Sequence, residues 1–187
     1  MAQTGKPMML KTEDVVLLLV DVQGKLARLM HEKEQLFQNL QTLLKGVQLL
    51  DVPIIWMEQN PEGIGSTIPE VSDLLPDVTP ISKMSFSCCQ NQRFVDALSG
   101  MNRKHVLIAG IETHICVYQT TADLLDMGYA VHVVADAVSS RTARNKKIGL
   151  QKMKDAGASC TSVETLLFEL LRVAEGERFK RMLRIVK

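Results

Sequence analysis

The sequence has few aromatic residues, almost no net charge and no long apolar run, and each shortage excludes a class of protein. Aromatic residues make up 4% of the 187 residues, too few for a base-stacking nucleic-acid platform. The formal net charge of +1 gives no electrostatic attraction to nucleic acid or to an anionic membrane. The longest uninterrupted apolar run, 15–20, is far too short to cross a bilayer. We therefore predict neither nucleic acid nor membrane as a partner.

The number and spacing of the cysteines indicate a reducing environment. The four cysteines, Cys88, Cys89, Cys116 and Cys160, follow no disulfide-framework or zinc-site spacing. The N-terminal residues lack the apolar segment of a secretory signal. Ten methionines against four cysteines fit a reducing compartment better than an oxidising one. These features predict four free thiols and a cytoplasmic location.

What the sequence does contain is a regular alternation of strand and helix patterns. Short apolar runs at 15–20, 53–57, 105–109 and 130–135 have the length and composition of buried parallel strands. Amphipathic patterns of helical period separate them. The predicted fold class is therefore α/β with a mainly parallel sheet. The length is most simply that of a single domain over 1–187, in which we expect residues 1–12 to be frayed.

The most informative stretch is 106–128, where a strand pattern gives way to a helix pattern after Gly110. Thr113 is the predicted N-cap of a helix that ends at Gly128, so that Cys116 lies in its first turn. Unpaired N–H groups and the helix dipole at that place favour a thiolate, as in an activated nucleophile. The alternative is that Cys116 is a small buried hydrophobe. This stretch alone leaves both interpretations open.

Two acidic residues follow predicted strands, and both are candidates for chemistry. Ligands gather beyond the carboxyl ends of the strands in open α/β sheets, so Asp21 is either a catalytic acid or a cap of the next turn. Asp136 is a rival, unless it binds backbone N–H groups or pairs with Arg141. His114 is not the base for Cys116, because residues two apart on a helix do not face each other. Asp21 is then the leading candidate for that base.

Two further charged residues allow a functional and a structural interpretation. Lys83 lies among small and apolar residues, and it is either a solvated lysine or an active-site cation near a carboxylate and a thiol. Glu58 begins the segment 58–65, which has the composition of a loop. No histidine lies near Glu58, so a loop is favoured over a metal site and no metal ion is predicted.

Three motifs, in their order and spacing, resemble the isochorismatase-like cysteine hydrolase family, which includes nicotinamidases and carbamoyl-amide hydrolases. They are LVDVQ at 19–23, ISKMSF at 81–86 and AGIETHIC at 109–116. EQNPEGIG at 58–65 and DAVSSR at 136–141 resemble more closely the animal isochorismatase-domain-containing proteins and their bacterial relatives. The resemblance runs from about Val15 to Leu170. It implies a three-layer α-β-α fold with a mainly parallel central sheet.

The resemblance implies roles for residues that the patterns alone leave open. The family's catalytic triad falls on Asp21, Lys83 and Cys116. Its cis peptide bond falls on Ile111–Glu112, where the backbone N–H groups of Glu112 and Cys116 would stabilise an oxyanion. The chain is therefore expected to use these residues as its catalytic site.

The resemblance also narrows the chemistry. Nicotinamidases of the family hold a metal ion with an Asp and two His in the segment corresponding to 58–65, where this chain has no histidine. Isochorismatases proper often lack the cysteine, so Cys116 favours hydrolysis of C–N bonds other than peptide bonds. The expected enzyme cleaves a small-molecule amide through a thioester acyl-enzyme and needs no cofactor. Gln23 and Phe86 are expected to contact the substrate.

Two other functions stay open at this point. One is an isochorismatase-type vinyl-ether hydrolase, in which Asp21 is the acid and Cys116 is dispensable. The other is a non-catalytic binding or scaffold protein on the same fold. The family usually forms symmetric oligomers, and the apolar C-terminal helices offer an interface, so we expect a homo-oligomer.

Overall fold

The centre of the computed structural model, which describes residues 9–187, is a six-stranded parallel sheet. Its strands are β1 (Val15–Val20), β2 (Ile54–Gln59), β3 (Ile81–Lys83), β4 (His105–Ile111), β5 (Ala130–Ser139) and β6 (Ser159–Thr161). They lie in the order β3-β2-β1-β4-β5-β6, and every neighbouring pair is parallel. Every residue of β1 is buried, which explains why a central strand reads as an unbroken apolar run.

Helices cover both faces of this sheet. Those of the described residues are α1 (Gly24–Arg28), α2 (Lys33–Leu49), α3 (Pro61–Ile64), α4 (Pro69–Ser72), α5 (Gln92–Gly100), α6 (Tyr118–Asp126), α7 (Ala143–Asp155), α8 (Val163–Leu171) and α9 (Gly176–Val186). The apolar sides of α2, α4, α8 and α9 pack on one face, and those of α5, α6 and α7 pack on the other. The predicted three-layer α/β fold is confirmed, with a sheet that is parallel throughout.

The strand order reverses at β1, and this reversal positions the site. The chain builds the sheet outward from β1 through β2 to β3, and then returns to add β4 on the opposite side of β1. In such sheets a crevice opens at the carboxyl ends of the strands where the order reverses. Asp21 follows β1 and Glu112 follows β4, so both residues lie at this crevice.

Gly110 allows β4 to lie close to β1. Its φ is +117°, and a Cβ atom at this position would lie 2.0 Å from the carbonyl oxygen of Val20. Only glycine fits such an approach without moving the backbone. Gly110 was expected to end the strand pattern, but β4 continues to Ile111 and shifts its register against β5 between Ile108 and Gly110.

Two predicted boundaries are corrected by the structure. The segment 58–65 is not wholly a loop, because Glu58 and Gln59 belong to β2 and Pro61–Ile64 forms a helical turn. Of the N-terminus predicted to be frayed, residues 1–8 lie outside the described part. Leu10 is buried and its N–H donates to Glu169 at 2.8 Å, so this residue is held in place. No helix within 9–187 has the length and hydropathy needed to span a membrane.

Candidate active site

The three residues of the predicted triad lie together at the crevice. Asp21 follows β1, Lys83 ends β3, and Cys116 belongs to the helical turn Thr113–Val117 that leads into α6. Their exposed fractions are 3%, 2% and 6%, respectively. Asp21 and Cys116 line the same cavity, and Lys83 Nζ lies 2.6 Å from Asp21 Oδ2. The fold therefore brings an acid, a cation and a thiol from three separate parts of the chain to one buried place.

The ammonium group of Lys83 is fully hydrogen-bonded. Besides the Asp21 carboxylate, it donates to the carbonyl oxygens of Ser85 and Phe86, each at 3.1 Å. An ammonium group has three donors, and these partners use all of them. A buried charge is tolerated only when it is paired and hydrogen-bonded in this way. Lys83 is thus a fixed positive charge beside Asp21 and not a solvated surface lysine.

Asp21 has one carboxylate oxygen in use and one without a partner. Its backbone is in the left-handed region, with φ +51°, which aspartate adopts more readily than bulky residues do. Oδ2 accepts from Lys83, whereas Oδ1 is buried and has no hydrogen-bond partner. Burial raises the pKa of Asp21 above its ordinary value of 3.8, although the charge of Lys83 acts in the opposite direction. A buried carboxylate oxygen without a donor is well suited to accept a proton.

The Cys116 thiol is protonated in the resting protein. Burial, and after it the negative charge of Asp21, raises the pKa of this thiol to about 12. The expectation that a helix N-terminus would favour the thiolate is therefore wrong for the resting site. Thr113 does not cap the turn, and its hydroxyl is buried without a partner. Desolvation and a neighbouring carboxylate outweigh the helix dipole here.

Gln59, the last residue of β2, contacts the thiol and was missed by the sequence analysis. The thiol of Cys116 donates to Gln59 Oε1 at 3.2 Å. Gln23 holds the backbone of Gln59 through two hydrogen bonds: its Oε1 accepts the N–H at 2.7 Å, and its Nε2 donates to the carbonyl at 3.0 Å. Gln23 Nε2 also donates to the Gly65 carbonyl at 2.7 Å. Both donors of Gln23, a predicted substrate contact, are thus occupied by backbone groups. The sequence analysis ended this strand at residue 57. Had it extended β2 to Gln59, this residue would have been recognised as a polar side chain at the carboxyl end of a strand.

Glu112 lines the cavity and pairs with Arg141. The peptide bond between Ile111 and Glu112 is cis. Glu112 Oε1 accepts from the backbone N–H and from Nε of Arg141, each at 3.1 Å. Arg141 therefore pairs with Glu112 and not with Asp136. The carboxylate of Asp136 accepts the backbone N–H of Val163 at 2.9 Å, which is the structural alternative foreseen for that residue.

These residues enclose a cavity of about 130 Å³. Its lining combines polar and apolar side chains, namely Asp21, Gln23, Leu26, Gln59, Ile64, Phe86, Ile111, Glu112, Ile115 and Cys116. Phe86, the other predicted substrate contact, is 52% exposed. The volume lies below the range that is usual for drug-sized ligands, so the cavity suits a molecule of few non-hydrogen atoms.

Glu58 is a structural acceptor in this protein. Its Oε1 accepts both the backbone N–H and the hydroxyl of Thr67, each at 2.7 Å. Within residues 9–187, no three or more His, Cys, Asp or Glu side chains are arranged to hold a metal ion. Glu58 therefore ties the end of β2 to Thr67, in the segment between α3 and α4.

Comparison with known proteins identifies the family. A family model described as the isochorismatase domain matches residues 15–165. The chain belongs to the isochorismatase family. Isochorismatase domain-containing protein 2A of Mus musculus is 38% identical, over 94% of this chain and 84% of its own. The predicted resemblance is confirmed, and membership of this family supports a hydrolase.

Solved isochorismatase-like structures cover nearly the whole chain. MAR1 ribonuclease from Caenorhabditis elegans has a TM-score of 0.89 and 31% identity, covering 96% of this chain and 92% of its own. YcaC from Pseudomonas aeruginosa, with hexane-2,5-diol and covalent acrylamide, has a TM-score of 0.91 and 25% identity, covering 97% of this chain and 93% of its own. These similarities agree with the observed three-layer fold.

Proposed function

We propose that this chain is a cysteine-dependent hydrolase that cleaves the C–N bond of small-molecule amides other than peptides. The supporting observation is the buried cluster of Asp21, Lys83 and Cys116 beside a cavity of about 130 Å³. A carboxylate oxygen without a donor, near a protonated thiol, is the pairing of base and nucleophile that covalent catalysis needs. The related YcaC holds covalent acrylamide, a small amide, which also supports a ligand of this class for this chain.

In the first half of the reaction, Asp21 acts as the base. Its Oδ1 takes the thiol proton while Cys116 Sγ forms a bond to the amide carbon. The carbonyl oxygen becomes an oxyanion, for which the backbone N–H groups of Glu112 and Cys116 are the proposed donors. Lys83 keeps the carboxylate ionised and oriented through its hydrogen bond to Oδ2.

In the second half, Asp21 acts first as an acid and then again as a base. It gives the proton to the leaving nitrogen, the C–N bond breaks, and an amine or ammonia departs from a thioester on Cys116. Asp21 then takes a proton from water as the water oxygen attacks the thioester carbon. The C–S bond breaks, the carboxylic acid leaves, and the proton returns to the thiol. Every step uses residues of this chain, and no cofactor is required.

The lining of the cavity favours a small molecule over a polymer. The Caenorhabditis elegans relative is named a ribonuclease, and proteins that bind single-stranded nucleic acid use a basic groove with aromatic stacking platforms. Here the cavity is small, and its charged lining residues are the two acids Asp21 and Glu112. A small-molecule partner without nucleic acid, a cytoplasmic location and a homo-oligomer remain our predictions for this chain.

Acrylamide labelling of Cys116 against pH, with the site read by peptide mass, tests the proposal. In the parent, the labelling rate should rise as Asp21 ionises, at a pH above 3.8 because burial raises its pKa. The rate should then stay level through neutral pH, because the carboxylate takes the thiol proton during attack. In Asp21→Asn no such plateau should exist, and the rate should rise about tenfold per pH unit with ionisation of the thiol itself. Identical profiles in both proteins would rule out Asp21 as the base.

A further inference from the structure

We propose that Gln59 is a positioning and specificity residue that holds the thiol of Cys116 at rest and exchanges it for an N–H group of the substrate. The inference rests on the proposed function, because it concerns the same nucleophile. The thiol hydrogen bond goes to Gln59 Oε1 at 3.2 Å, while Asp21 Oδ1 is left buried without a donor. The resting thiol thus donates to a neutral amide, which cannot take its proton, while the Asp21 carboxylate, which can, lies close enough to raise the pKa of the thiol.

The exchange follows from the relative strengths of the donors. A thiol S–H is a weak hydrogen-bond donor, and an amide N–H is a stronger one. An amide that enters the cavity offers an N–H group to Gln59 Oε1 and displaces the thiol. The released thiol then bonds to Asp21 Oδ1, the one acceptor of the pair that can remove its proton. Substrate binding and activation of the nucleophile are coupled by this one side-chain oxygen.

The surroundings of Gln59 fit this role. Gln23 fixes the backbone N–H and carbonyl of Gln59, so Oε1 is positioned by a rigid strand end. The Gln59 side chain lines the cavity, and within residues 9–187 its Nε2 donates to no other group. The side chain is therefore held at its base, and at its tip Oε1 accepts only the weak thiol donor among the described residues. The substrates it selects are amides that carry at least one N–H, and it disfavours esters and fully substituted amides.

The test compares two electrophiles that differ in the N–H group, acrylamide and methyl acrylate. Their second-order labelling rates at Cys116 are divided by those at the exposed Cys160 of the same molecule, which cancels their intrinsic reactivities. In the parent we expect the acrylamide to methyl acrylate ratio at Cys116 to exceed that at Cys160 roughly threefold to tenfold, the worth of one hydrogen bond. In Gln59→Met, which keeps the side-chain length and removes the amide, the two ratios should become equal.

Gln41→Met is the matched control, because it makes the same substitution on a helix away from the cavity, where Gln41 donates to the backbone carbonyl of Glu70 at 3.1 Å. This variant should keep the parent ratio. Equal ratios at Cys116 and Cys160 in the parent, or a parent-like ratio in Gln59→Met, would overturn the inference. The proposed function fails separately, through a labelling profile against pH that Asp21→Asn leaves unchanged.

Discussion

The cavity at Cys116 and a larger groove beside α7 differ in volume and in what lines them. The groove measures about 490 Å³ against about 130 Å³ for the cavity. Its lining residues are His31, Glu32, Ala135, Ala143, Lys146, Lys147, Leu150, Gln151, Lys154 and Cys160. Lys147, Lys154 and Cys160 are exposed to solvent, whereas the charged pair at the cavity, Asp21 and Lys83, is buried. Judged by volume alone, the groove would be the candidate active site. The chemistry of the lining residues favours the cavity instead.

The difference between these regions is one of dielectric surroundings. Solvent screens the lysines of the groove, so their charges affect Cys160 only weakly. At the cavity the same kinds of group are removed from water, where their mutual interactions are much stronger. Burial raises the pKa of both thiols, but Asp21 adds a second cause at Cys116, whereas Lys154 acts in the opposite direction at Cys160. Of these two thiols, Cys116 is therefore the one that combines a suppressed thiolate with a base close by.

The largest difference between the two regions should appear in the rate of hydrolysis when Cys116 or Cys160 is replaced. Cys116→Ala removes the proposed nucleophile, and we expect hydrolysis of small primary amides, measured as ammonia release, to fall by at least about a thousandfold. Cys160→Ala should leave the rate unchanged within about twofold, because no proposed step uses this exposed thiol. Ammonia release that persists in Cys116→Ala would rule out Cys116 as the nucleophile.

The second contrast concerns stability and compares two lysines. Lys83→Met leaves the Asp21 carboxylate buried without its cation, and we expect the free energy of unfolding to fall by about 3–5 kcal/mol. Lys154→Met removes a solvated charge and should change it by less than about 0.5 kcal/mol. Urea denaturation at pH 7 measures both.

A double variant separates the ion pair from simple loss of packing around Lys83. Asp21→Asn combined with Lys83→Met removes both charges, so part of the stability lost in Lys83→Met should return. A double variant that is no more stable than Lys83→Met would show that the charge left on Asp21 does not cause the loss.

Much of the fold and several residues of the candidate site could be predicted from the sequence, because strand patterns and motifs are local. The apolar run of β1 indicated a central strand, and its end placed Asp21 where parallel strands present ligands. For Lys83 and Cys116 the patterns alone favoured the structural alternatives, until the resemblance to a family joined the three motifs.

Other features of the site depend on contacts between distant parts of the chain. Cys116 and Gln59 are 57 positions apart, and no local pattern predicts their hydrogen bond. The state of the thiol was mispredicted because the helix dipole can be read from the sequence, whereas burial and the distance to a carboxylate cannot. Glu112 likewise meets Arg141 only after β4 and β5 have paired.

The smallest contrast compares Arg141, at the edge of the site, with Lys147 of the groove. The Arg141 side chain is 53% exposed and its Glu112 partner only 6%, so solvent screens the pair from one side. Because the backbone N–H of residue 141 still donates to Glu112 in Arg141→Gln, this variant should lose less than about 1 kcal/mol of unfolding free energy. Lys147→Gln should lose nothing measurable. Urea denaturation in low salt and in 1 M salt checks both, since high salt should shrink the loss in Arg141→Gln. A loss of about 3 kcal/mol that salt does not change would instead place Arg141 with the buried charges of the cavity.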